Sequence, residues 1–103
     1  MEGAMSTLIV GGDRINTYKE FLVEQGFGPI QHWNGRKNSE CHRSIPASTR
    51  LVVILVDQVN HMLAIKLRRI ADDLDLPVVF SRRSISQLDR AISRFRNDSD
   101  SLH

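Results

Sequence analysis

Leu51-Val52-Val53-Ile54-Leu55-Val56 is an unbroken aliphatic run. It restricts the fold more than any other stretch of the chain. At six residues it is far short of a membrane span. With no polar alternation it cannot lie with one face in water, so it predicts a strand covered on both faces. Such strands belong to parallel sheets, whose crossover helices supply the cover. A helix of the right kind follows at once. From Asn60 to Leu74, the residues Leu63, Ala64, Leu67, Ile70, Ala71 and Leu74 recur at helical spacing.

The rest of the chain repeats the alternation. Thr7 to Val10 is a short apolar strand ending in a tight turn at Gly11-Gly12. Asp13 is the candidate N-cap of a helix from about Arg14 to Gln25, with Ile15, Tyr18, Phe21 and Leu22 on one face and Gly26 closing it. Pro29 to Trp33 reads as the second strand. Asn34 to Pro46 is polar, basic and irregular, with room for one helical turn around Glu40. Pro77 to Phe80 reads as the fourth strand, and Ser84 caps a last helix carrying Ile85, Leu88, Ile92 and Phe95. The predicted fold class is α/β: a small doubly wound parallel sheet of four strands in the order 2-1-3-4, with helices on both faces. It is flavodoxin-like in outline but lacks a fifth strand.

A chain of 103 residues allows one domain. We place it at residues 6–96. Residues 1–5 read as a disordered leader before a second possible start at Met5, and residues 97–103 as a flexible tail. The composition, 41% hydrophobic and 25% charged, is that of a globular protein and not of a disordered one. A net charge of +2 is too small for a dedicated nucleic-acid binder. The lone Cys41 cannot form an internal disulfide, and the leader lacks the apolar stretch of a signal peptide. The expectation is a cytoplasmic protein with no membrane segment. A core this small also predicts a homodimer, with apolar helix surface or an open sheet edge covered by a second copy.

In open parallel sheets ligands bind outside the carboxyl ends of the strands, near the point where strand order reverses. That edge collects the polar chemistry of this chain. The candidate ligand-binding residues are Asp13, His32, Trp33, Arg36, Lys37, Asp57, Asn60, His61, Arg82, Arg83 and Ser84. His61 falls at the start of a helix, where the dipole disfavours imidazolium, and a neutral imidazole can ligate a metal or act as a base. His61 and then His32 are therefore the candidate metal ligands. Cys41-His42 has no partner at zinc-ligand spacing. Gly11-Gly12 is neither a dinucleotide fingerprint nor a P-loop, and no serine elbow or triad order is present. Arg36, Lys37, Arg82 and Arg83 form a cationic rim suited to carboxylate or phosphate. Arg90, Arg94 and Arg96, on the last helix, read as plain surface charge.

Several of these segments, taken together, resemble a bacterial family catalogued as domain of unknown function 2325. They are Leu8-Ile9-Val10-Gly11-Gly12-Asp13, His32-Trp33-Asn34-Gly35-Arg36-Lys37, Ile45-Pro46, Leu55-Val56-Asp57-Gln58-Val59-Asn60-His61 and Phe80-Ser81-Arg82-Arg83-Ser84. The likeness spans about Leu8 to Ile92. It implies a short, stand-alone cytosolic protein with a Rossmann-like fold. It also implies that the histidine at His32 and the Asn60-His61 pair belong to the family pattern, whereas Cys41 marks only some members.

The residues leave several functions open. Haem is the first: His61 or His32 as axial ligand, the cationic rim on the propionates, and Trp33, Phe80 and Val59 as apolar walls, with an O2-linked or redox role. A phosphorylated or nucleotide-like small anionic ligand is the second, held by Arg36 and Arg83 and by backbone amides at Gly11-Gly12 and Asn60. An enzyme using His61 as acid or base is the third. With aromatic residues at 6%, RNA binding is the least supported.

Overall fold

The computed structural model describes residues 5–34 and 45–101, with side chains through residue 97. The elements follow in the order β1 (Ser6–Val10), α1 (Asn16–Glu24), β2 (Ile30–Trp33), β3 (Thr49–Leu55), α2 (His61–Asp73), β4 (Val78–Ser81) and α3 (Ile85–Ser101). The four strands form one sheet in the order β2-β1-β3-β4, and every pairing is parallel. The expected α/β fold and strand order are what the chain adopts.

The all-aliphatic strand explains the layering. Leu51, Val53 and Leu55 of β3 point to one face of the sheet, and Val52 and Ile54 point to the other, as strand alternation requires. All five are at most 1% exposed. One face packs against α1 and α3 through Ile9, Leu22, Val79, Leu88 and Ile92. The other packs against α2 through Leu8, Val10, Trp33, Leu63, Leu67 and Ala71. Two-sided cover follows from the topology. The crossover from β1 to β2 steps one way along the sheet, and that from β3 to β4 steps the other. Connections of the same hand then place α1 and α2 on opposite faces.

Several boundaries differ from the sequence reading. Helix α1 starts at Asn16, and its N-cap is Ile15 with no side-chain cap bond, so Asp13 does not cap it. The glycine pair is the physical reason. Gly11 and Gly12 both take positive φ, at 118° and 82°, and the chain needs the residues after them to turn before it can coil. Strand β3 ends at Leu55, although the Val56 N–H still donates to the Ser81 carbonyl at 2.9 Å. Helix α3 continues to Ser101, beyond Phe95, the last residue of its apolar stripe. The expected helical turn around Glu40 lies outside the described residues.

Arg96 is more than surface charge. Its guanidinium donates to Gln25 Oε1 at 3.1 Å and to the Gln25 carbonyl just past α1. It also lies over the Phe27 ring, 5.0 Å from the centroid, and Arg50 lies over the same ring at 5.3 Å. Arg50 donates to the Gly26 carbonyl. Two cations thus meet the carbonyl end of α1, where the helix dipole favours them.

Candidate functional site

The carboxyl edge is built from the loops that leave the four strands. Around the switch point the protein is closed upon itself. Gly11 N–H donates to the Trp33 carbonyl at 2.8 Å, and Gly12 N–H to the Gln58 carbonyl at 3.3 Å. A Cβ at Gly11 would stand 3.0 Å from the Leu55 carbonyl oxygen. Glycine is required there because β3 leaves no room. The two amides that an anion cradle would use are therefore engaged within the fold.

His32 is drawn into this closure. It pairs with Ile9 in the ladder and so lies on the α1/α3 side of the sheet. Its Nε2 stands 2.7 Å from the Gly12 carbonyl and 3.3 Å from that of Gly11. A carbonyl only accepts, so Nε2 carries the proton and donates. The lone pair then resides on Nδ1. Trp33 alternates to the opposite side and is buried in the α2 core at 4% exposure. It supports the sheet and does not line the edge, which corrects its assignment as a wall of the ligand slot.

The loop after β4 is tied back in the same way. Asp57 Oδ1 accepts from the Arg83 N–H at 2.9 Å, and the Arg83 guanidinium donates to the Arg14 carbonyl at 3.2 Å. Arg83 therefore joins three loops. Ser84 Oγ accepts from the Gln87 N–H at 3.4 Å and caps α3 as expected. Arg82 is exposed. Asp13 is exposed on the β1 loop. Arg36 and Lys37 lie outside the described residues, as do Cys41 and His42.

His61 stands apart from this network. Asn60 takes the N-cap of α2 in extended backbone, and its Oδ1 accepts from the Met62 and Leu63 amides at 3.0 and 3.2 Å. That cap is the reason the helix begins at His61. The imidazole is exposed and borders an open depression of about 260 Å³ lined by Val56, Val59, Ala64, Ile65, Arg68 and Phe80. Val56, Ile65 and Phe80 are 43%, 45% and 40% exposed, high values for large apolar side chains. The Arg68 guanidinium sits 5.5 Å from the centroid of the Phe80 ring. His61, Ile65 and Arg68 share one face of α2 at i, i+4 and i+7. The face thus carries an imidazole, an aliphatic surface and a guanidinium, spread over about 10 Å at the usual helical rise.

The sequence reading identified His61, Val59 and Phe80 but missed Val56, Ile65 and Arg68. A signal was present. Met62 and Ile65 are large apolar residues off the core stripe of α2, at helical spacing from each other, and both are exposed.

Fold and edge together define a small doubly wound parallel α/β domain. Its carboxyl edge has two halves: a self-closed switch point, and an open apolar depression beside an exposed histidine. The chain belongs to the bacterial family described as "Uncharacterized protein conserved in bacteria (DUF2325)", whose model matches residues 6–95. No curated protein and no solved structure matches the chain. No helix among the described residues is long and apolar enough to cross a membrane.

Proposed function

We propose that the protein binds haem in the depression at the start of α2, with His61 as axial ligand. One observation carries this reading: an exposed imidazole borders the apolar depression. His32, by contrast, is half-buried on the other side of the sheet and does not border that depression, so only its Nδ1 is left to meet a ligand and it would do so elsewhere. A bare metal ion needs several protein donors, and among the described residues no group of three His, Cys, Asp or Glu could hold one. A porphyrin brings its own nitrogen donors and requires as little as one imidazole.

The chain's residues divide the work. The Asn60 cap holds the first turn of α2 and so places the His61 ring. Val56, Val59, Ile65 and Phe80 offer a dry surface to a flat apolar ring. Arg68, one turn beyond Ile65, offers a guanidinium fork to a propionate. Haem, when bound, supplies the redox and O2 chemistry. The phosphorylated-ligand reading has less support, because the Gly11 and Gly12 amides are already engaged and Asn60 already caps α2.

The test is the visible spectrum of the purified protein titrated with haemin. A Soret band that saturates at one equivalent is expected. His61→Ala should abolish or shift it, and His42→Ala should leave it unchanged. Loss of the band in His42→Ala alone would move the ligand into the 34–46 segment and overturn the assignment.

A further inference from the structure

We infer that the β4 edge is a self-association surface, on which a second copy of this chain pairs antiparallel about a two-fold axis at Val79. The inference does not rest on the haem reading, although Phe80 borders both surfaces. Strand β4 ends the sheet, and among the described residues no strand pairs with its outer side. The Pro77 and Ser81 carbonyls accept from Val52 and Val56 of the β3 side. Backbone groups alternate in direction along a strand, so the odd-numbered residues bond inward. Val78 and Phe80 then turn their N–H and C=O groups outward.

The pleat limits the register. Residues directly opposite across an antiparallel pair must put their side chains on the same face. Val78 and Phe80 share the α2 face, whereas Val79 and Ser81 face α1 and α3. Placing Val79 opposite its own copy sets Val78 against Phe80 of the second copy, and the reverse. Both pairs are then of the kind that exchanges two backbone hydrogen bonds, and each couples an aromatic with a β-branched side chain. The pairing covers Phe80, which is otherwise 40% exposed.

Charge points to the same occupant. The chain entering β4 is acidic, with Asp72, Asp73 and Asp75 all exposed. The chain leaving it is basic, with Arg82 exposed at the strand end and Arg90 exposed on α3 beside Ser81. An antiparallel two-fold sets the acidic end of each copy against the basic end of the other. A second copy running the opposite way meets both ends at once. A free edge strand with exposed apolar side chains is otherwise an aggregation hazard, and closure in a dimer removes it.

Sedimentation of the full chain at micromolar concentration should give twice the 11.7 kDa chain mass. A monomer would overturn the proposal. Phe80→Pro removes an outward N–H and the ring that the pairing covers, while leaving the β3–β4 hydrogen bonds in place, and should yield a monomer with unchanged helical circular dichroism. Should that variant fail to fold, charge exchange decides. Arg82→Asp should weaken the dimer several-fold, and Arg82→Asp with Asp75→Arg should restore it. In a Cys41→Ser background, Val79→Cys should form a covalent dimer on mild oxidation, because the paired Cα atoms fall within disulfide reach. A dimer indifferent to all of these substitutions would use another surface.

Discussion

His32 Nε2 donates to the Gly12 carbonyl at 2.7 Å, and this bond joins the end of β2 to the glycine turn after β1. The turn also meets the β3 loop through the Gln58 carbonyl. Three loops are thereby fixed around the place where open α/β sheets usually hold a ligand. The chain fills its own switch point and leaves the open surface one strand further along, at the start of α2.

Replacing His32 should therefore be felt as lost stability. His32→Ala is expected to cost about 1 kcal/mol, the net contribution of one partly buried hydrogen bond, visible as a lowered midpoint in urea. Haemin titration of the folded variant should still develop the Soret band. A folded His32→Ala protein that no longer bound haem would make His32 the ligand.

The two glycines should differ in tolerance. Gly11→Ala meets both a φ of 118° and a carbonyl oxygen 3.0 Å from the new Cβ, whereas Gly12→Ala has its nearest neighbour at 3.4 Å, a side-chain methyl. Both are strained, by roughly 1–3 kcal/mol for an unfavourable backbone conformation. Gly11→Ala should lie at or above the top of that range and be the more destabilised in thermal melts. Equal melting temperatures would mean that the Leu55 carbonyl yields freely.

Asn60 links stability to the site. Asn60→Ala removes the cap of α2 and should cost about 1 kcal/mol, while Asn60→Asp keeps an acceptor and should cost little. Because His61 is the first helical residue, haemin affinity is expected to fall in the alanine variant and to hold in the aspartate one. Affinity unchanged in Asn60→Ala would separate the cap from the site.

Two α2 residues, two positions apart, should separate core from surface. Leu67 is fully buried in the α2-side core, so Leu67→Ala should cost about 2–5 kcal/mol. Ile65 is 45% exposed over the depression. Ile65→Ala should leave the denaturation midpoint nearly unchanged, and Ile65→Asp should weaken haemin binding. If Ile65→Asp bound haemin normally, the depression would not be the site.

Local sequence was enough to determine the layered sheet. The aliphatic run Leu51 to Val56 needs cover on both faces, the α2 stripe has a period of 3.6, and the alternation of strands and helices with one connection hand leaves few topologies. Ser84 was legible as a cap because its side chain acts on an amide three residues away, and Asn60 was legible as the start of α2, its capping role emerging from the structure. The division of labour along the carboxyl edge was not legible, because it depends on contacts between residues far apart in the chain. His32 reaches Gly12 across 20 positions and Arg83 reaches Asp57 across 26, and no spacing rule encodes those bonds. Trp33 differs, because strand alternation, a local rule, sends it to the face opposite His32 and so into the core; the depression, by contrast, exists only where Val56, Ile65 and Phe80 from three segments meet. The sequence by itself determined which residues must be buried and, to within a residue, where α2 and α3 begin, though not where α1 does. Only the tertiary structure decided which polar side chains are consumed in holding the loops and which, His61 foremost, remain facing outward.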